Sequence, residues 1–143
     1  IRAGLHDPVG KSHPMGTLLS ERGPDPVRHS KKVCKVIYDE TGIHGVFALF
    51  DGAEPTYAHI EEGEWLNDEP YVTIHRLAGD GRVHGLFQCA AEHCKSISPN
   101  VRVDTHADNT TMQRLIEKNG FKKCGIIHVR DGSPRIAYQW TAR

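Results

Sequence analysis

Hydrophobic and polar positions alternate sharply from Val33 onward, and their period changes several times before the chain ends. Residues 33–38 and 44–50 read as strands joined by Asp39-Glu40-Thr41-Gly42, a hairpin turn with Gly available for positive φ. Residues 56–60 fit a short strand or a helical turn, ended by Glu61-Glu62-Gly63. Residues 71–78 form the next strand pattern. After Gly79-Asp80-Gly81 a helix is expected from about 85 to 97, with Leu86, Phe87, Ala90, Cys94 and Ile97 as one apolar stripe. Pro99-Asn100 breaks it. Val101 and Val103 then alternate with Arg102 and Asp104, the period of a half-buried strand. Asp108 or Asn109 supplies an N-cap, Met112, Leu115 and Ile116 recur at helical spacing, and Asn119-Gly120 stops the helix. Residues 124–129 and 135–140 are strands flanking the turn Arg130-Asp131-Gly132-Ser133.

The order is antiparallel strands, then strand–helix–strand–helix, then two more strands. A strand–helix–strand unit implies a parallel pair with a right-handed crossover. Set among hairpins, that pair predicts a mixed α/β sheet covered by helices. Residues 1–32 differ: Pro8, Pro14, Pro24 and Pro26 and four glycines interrupt any helical period, so the segment reads as irregular, with at most one helical turn. The expectation is one domain, with 1–32 as an irregular or shortened N-terminal segment and 33–143 as its folded body.

Composition narrows the classes. At 143 residues the chain can bury a core without disulfides, and 18 basic against 18 acidic residues create no global field for nucleic acid or an anionic membrane. No apolar run approaches the roughly 20 residues of a membrane-spanning helix, and no signal-like segment opens the sequence; a cytoplasmic setting is expected. The chain begins with Ile, which reads as a processed, trimmed or incomplete end. Cys34, Cys89, Cys94 and Cys124 are expected as reduced thiols. Cys89, His93 and Cys94 are the closest approach to a metal motif, but ligands from elsewhere would be needed, so no metal is expected.

Candidate chemistry gathers where strands end and helices begin, a favoured place for ligands in α/β sheets. Gly79-Asp80-Gly81-Arg82-Val83-His84-Gly85-Leu86-Phe87 leads into a helix whose first N–H groups face outward, and Arg82 carries a fork suited to phosphate oxygens. The same loop also fits a plain strand–helix turn with a solvated arginine. Arg82-x-x-Gly85 opening a helix, then a strand, then Asn109-x-x-Met112-x-x-Leu115-Ile116-x-x-x-Gly120-Phe121, resembles the GNAT-type N-acetyltransferases over about residues 33–140. Asp104-Thr105-His106-x-Asp108-Asn109, Cys124-Gly125-Ile126-Ile127 and Arg135-Ile136-Ala137-Tyr138-Gln139 resemble a bacterial subset of that family.

The resemblance implies a mostly antiparallel sheet of about 6–7 strands, helices on both faces and one parallel pair splayed at the cofactor. It implies acetyl-CoA as co-substrate and an acyl-CoA N-acyltransferase moving its acetyl group to a primary amine of a small molecule or peptide. The alternative is a GNAT-fold module that binds CoA without turnover. The implied cofactor contacts are Leu77, Gly79, Arg82, Val83, His84, Gly85, Leu86, Phe87, Asn109 and Met112. A homodimer is possible within this family pattern; no nucleic acid or membrane partner is implied.

Three departures stand out: Phe87 at a usually small position of the phosphate loop, Ile116 where the family often has a proton-donating Tyr, and no counterpart of the first helices in 1–32. The catalytic candidates are His75 and His106, near the ends of the two parallel strands, because imidazole can take an amine's proton near neutrality. Asp104 on the same strand face either orients His106 or leaves it to bond locally. Tyr138 is the candidate replacement acid, or else a packed core tyrosine. Asn109 is expected to tie strand to helix.

Overall fold

The computed structural model describes residues 32–81 and 84–142 in full and the backbone of 16–25, 30 and 31. Its strands are β1 (Gly16–Asp25), β2 (Ser30–Asp39), β3 (Gly42–Asp51), β4 (Val72–Gly79), β5 (Asn100–His106), β6 (Lys122–His128) and β7 (Pro134–Thr141); its α-helices are α1 (Leu86–Ile97) and α2 (Thr110–Lys118). They build a sheet in the order β1-β2-β3-β4-β5-β7-β6. Every neighbouring pair is antiparallel except β4 and β5. This is the expected mixed sheet with a single parallel pair.

Periodicity located β2 to β7 because each carries one buried face. Ile37, Phe47, Leu49, Val72, Ile74, Val101, Val103 and Tyr138 point to one side, where α1 contributes Phe87, Cys89, Ala90, Ala91 and Cys94 and α2 contributes Ile116. Both α-helices therefore cover one face. On the other face Tyr57, Ile127 and Ala137 pack with Ile60, Trp65 and Tyr71 under the segment between β3 and β4. Its helical part is one 3-10 turn at Pro55–Tyr57, so the helical cover expected on both faces is unequal. Arg102 fixes this segment: its buried guanidinium lies 4.0 Å from the Trp65 ring centre and 3.9 Å from that of Tyr71, and its Nη2 donates to the Asn67 carbonyl.

Residues 16–25 are a strand paired with β2, where an irregular segment was expected. Pro24 lies just beyond a register shift after Glu21, and β1 is an edge strand; both are places where a strand accepts proline. The remaining expectations for 1–15 and 26–29 fall outside the described residues, as do those for Arg82 and Val83.

Two irregularities shape the site. Parallel pairing of β4 with β5 comprises only Val72–Val101 and Thr73–Arg102, after which both strands run on and separate. In the same stretch β4 carries a bulge opposite β3: Ala48 pairs with His75, Val46 pairs with Ala78, and Arg76 sits at φ 55. A left-handed conformation at a non-glycine residue costs about 1–3 kcal/mol and persists where surrounding structure imposes it. The bulge shifts the phase of the strand. Ile74 and Leu77 therefore both reach the helix-covered face, while His75 faces the 3-10 turn.

Candidate active site at the parting of two parallel strands

Where β4 and β5 part, a cleft of about 250 Å³ opens between them. Ile74, Arg76 and Leu77 form one wall, residues 103–106 the other, and Phe87, Asn109 and Met112 the helix side. Beyond Thr73 the edge of β4 facing β5 has no strand partner among the described residues, so its backbone groups are available to an extended ligand. Of the expected cofactor residues, Leu77, Phe87, Asn109 and Met112 line this cleft. His84, Gly85 and Phe87 line a second cavity of about 600 Å³ between the start of α1 and α2, beside Lys118. Gly85 is the N-cap of α1 at φ 87 and supplies no side-chain cap, leaving first-turn N–H groups for an anion. Leu86 packs inward instead, and a Cβ on Gly79 would lie 2.2 Å from its Cδ1. These features fit a CoA-like ligand: an apolar slot, a free strand edge and an uncapped helix start.

Across β4 lies a third cavity of about 490 Å³, lined by Glu54, His75 and Asp104 among others. Ile74, Arg76, Asp104 and Arg135 line both it and the cleft, so the two adjoin. Glu54 is held by local sequence: it caps the 3-10 turn, accepting from the Thr56 amide and hydroxyl, with Pro55 at the first helical position. Its other oxygen is 2.9 Å from His75 Nε2. Burial pushes the Glu54 carboxyl up, but the His75 ring and the Thr56 donors override it and hold it down at about 2. An ionised carboxylate only accepts, so His75 Nε2 carries a proton toward Glu54, and Nδ1 is the ring nitrogen left outside that bond.

The other catalytic candidates are placed differently. His106 lines the cleft, but its Nδ1 accepts from the Asp108 amide at 3.1 Å. Asp104 does not orient it: Asp104 accepts from the Tyr57 hydroxyl at 2.6 Å and from Arg135 Nη1 at 3.3 Å. Burial first, and then the Asp104 charge, push the Tyr57 hydroxyl well above its ordinary range. Tyr138 shares a face with Ile136 and Trp140, as its alternation requires, but that face is the helix-covered core. It is 1% exposed, and burial and then Glu117 push its hydroxyl upward. It lines neither cavity nor the cleft. Asn109 caps α2, accepting from the Met112 amide at 3.0 Å, the strand-to-helix tie expected of it. Cys89 and Cys94 are buried in α1, which pushes both thiols up to about 12.

Sequence reasoning missed Glu54, Arg76 and His44. The Glu-Pro dipeptide was a legible cap signal, but its pairing with His75 needs the sheet register. His44 is the residue skipped where Ile37 pairs with Gly45 and Tyr38 with Ile43. It is buried, with Nδ1 2.9 Å from Asp80 and Nε2 2.9 Å from Asp39. Two carboxylates that only accept require a proton on each ring nitrogen, and Asp80 and then Asp39 raise the pKa of His44 accordingly. The clasp joins the β2–β3 turn to the loop before α1.

The architecture is thus a mixed sheet with one splayed parallel pair and a helix start beside the opening. Among solved structures, the chain is similar to an acetyltransferase of the GNAT family from Streptococcus agalactiae, with 35% identity over 77% of this chain and a TM-score of 0.70. It spans 65% of that protein's length. A GNAT-family acetyltransferase from Listeria monocytogenes shares the fold at 16% identity, over 76% of this chain and 63% of that one, with a TM-score of 0.51. A GNAT-family structure from Desulfovibrio desulfuricans does so at 11% identity, covering 78% and 69%, with a TM-score of 0.52. No family model and no curated protein matches. The chain shares its fold with GNAT-family acetyltransferases, and the 35% identity to the streptococcal one carries the likeness into the sequence.

Proposed function

We propose that this protein transfers an acyl group, from acetyl-CoA in the first instance, to a primary amine of a small molecule or peptide. The observation that carries the reading is the adjacency of the β4–β5 cleft to a cavity holding an oriented His75–Glu54 pair. Acyl-CoA supplies a thioester carbonyl open to attack by an amine. Leu77, Phe87 and Met112 would flank its pantetheine arm, and the free edge of β4 would pair with its amides. The α1 N-terminus at Gly85 would receive its phosphates, with Arg82 and Val83 assigned there by the resemblance.

His75 would take the amine's proton at Nδ1, while Glu54 fixes the tautomer and offsets the charge that develops on the ring. His106 is held with its proton on Nε2, so it serves as a hydrogen-bond donor in the cleft, not as an acid. The CoA thiolate, with a free-thiol pKa of about 8.5, would then take its proton from solvent. A second reading, a module that binds CoA without turnover, is favoured by Ile116, fully buried where the family often places a tyrosine.

Thiol release from acetyl-CoA in the presence of mixed primary amines separates the two. Amine-dependent release supports transfer. A raised melting temperature with acetyl-CoA and no release supports the binding module.

A further inference from the structure

The cavity beside His75 has a charge pattern that bears on which amine enters it. Its lining includes four basic residues, Lys32, Arg76, Arg130 and Arg135, against two acidic ones, Glu54 and Asp104. Both acids are occupied. Glu54 holds His75 and Thr56, and Asp104 holds Tyr57 and Arg135. A protonated amine therefore finds no unengaged carboxylate among the described residues of this lining. The cations are the reverse case. Lys32, Arg76 and Arg130 have no ion-pair partner among the described residues, and the buried Nε of Arg135 lacks a hydrogen-bond acceptor.

Placement sharpens the pattern. Arg76 and Arg135 line both the cavity and the cleft, so both residues sit where one adjoins the other. Arg76 owes this place to the left-handed bulge, a conformation that is costly for arginine and has no evident role in core packing. Arginine presents a planar fork that matches carboxylate and phosphate oxygens. At about 490 Å³ the cavity is within the roughly 300–1,000 Å³ range of small-molecule sites.

We propose that the acceptor is a small amine carrying an anionic group, a carboxylate or a phosphate, held by Arg76 and Arg130 with Lys32 and Arg135 beside them while its amine faces His75. This rests on the acyl-transfer reading of the same site. It deepens that reading by naming the substrate class and the residues that select it.

Matched pairs test it: alanine against alaninamide, and phosphoethanolamine against ethanolamine. Calorimetry with CoA present measures the affinity of each, and thiol release from acetyl-CoA measures turnover. The anionic member of at least one pair is expected to bind about tenfold or more tighter, the scale of a charge-assisted contact. Which pair shows the preference separates carboxylate from phosphate. The preference should shrink several-fold in Arg130→Gln and in Arg76→Gln, and with added salt. Equal affinity within both pairs, binding of neither, or a preference untouched by both substitutions overturns the proposal. Turnover without charge preference would reject the anion site and leave acyl transfer standing. Charge-selective binding without turnover would keep the anion site and reject acyl transfer.

Discussion

At the scale of single residues, the site depends on which nitrogen of a histidine carries the proton. In the proposed reaction His75 serves as the base, with its Nε2 held by Glu54, and His106 does not, because a backbone amide occupies its Nδ1. Glu54→Gln keeps the shape but can accept or donate, so the His75 tautomer is no longer fixed. We predict that kcat falls by about 10²–10⁴ with the KM for acetyl-CoA little changed, measured by steady-state thiol release. Tyr138→Phe should leave kcat near wild type, because its hydroxyl sits in the helix-covered core beside Glu117; a drop of similar size there would restore Tyr138 as the acid. His75 and His106 were legible in the sequence from their positions near strand ends. Tyr138 was legible as a face but not as a depth, since alternation fixes which side a residue faces and not what covers that side.

At the scale of elements, the segment between β3 and β4 positions Glu54, and it is held to β6 by a tight backbone approach. Glu61 and Ile126 exchange two N–H···O bonds of 2.8 Å. A Cβ on Gly63 would lie 1.9 Å from the Cys124 carbonyl oxygen, and one on Gly125 would lie 2.5 Å from that of Glu61. Backbone cannot yield as a side-chain tip can. Gly63→Ala should therefore lower stability by about 1–3 kcal/mol, the cost of overpacking, and chemical denaturation would measure it. Wild-type stability would mean that the segment can shift outward. The sequence marked β2 to β7 and both α-helices, because each repeats an apolar period long enough to recognise. It did not mark β1, whose Pro24 and glycines carry turn signals that an edge strand with a register shift tolerates. Nor could it reveal the bulge at Arg76, since the bulge is set by pairing with β3.

At the scale of the whole molecule, the sheet order follows from the chain order except that β7 inserts between β5 and β6. That insertion brings Arg135 opposite His106 and so beside the cleft. The His44 clasp ties the β2–β3 turn to the loop before α1 through Asp39 and Asp80. Because folding raises the His44 pKa, its contribution to stability is complete below the unfolded histidine value of about 6.5. It is lost as pH rises through the higher folded value. The melting-temperature gap between wild type and His44→Gln should be widest in mildly acidic buffer and should narrow on moving to alkaline pH. A gap that widens with pH would mean that His44 is neutral in the fold.

If the parting of β4 and β5 is the acyl-CoA slot, Met112 reports on it directly. The chain has two methionines, and Met112 lines the cleft. With methyl-labelled methionine, Met112→Leu assigns the resonance, and titration with acetyl-CoA follows it while calorimetry confirms binding. The expected result is a saturable shift of the Met112 methyl that tracks the calorimetric isotherm. Acetyl-CoA bound by calorimetry with the Met112 signal unmoved would place the ligand outside the cleft.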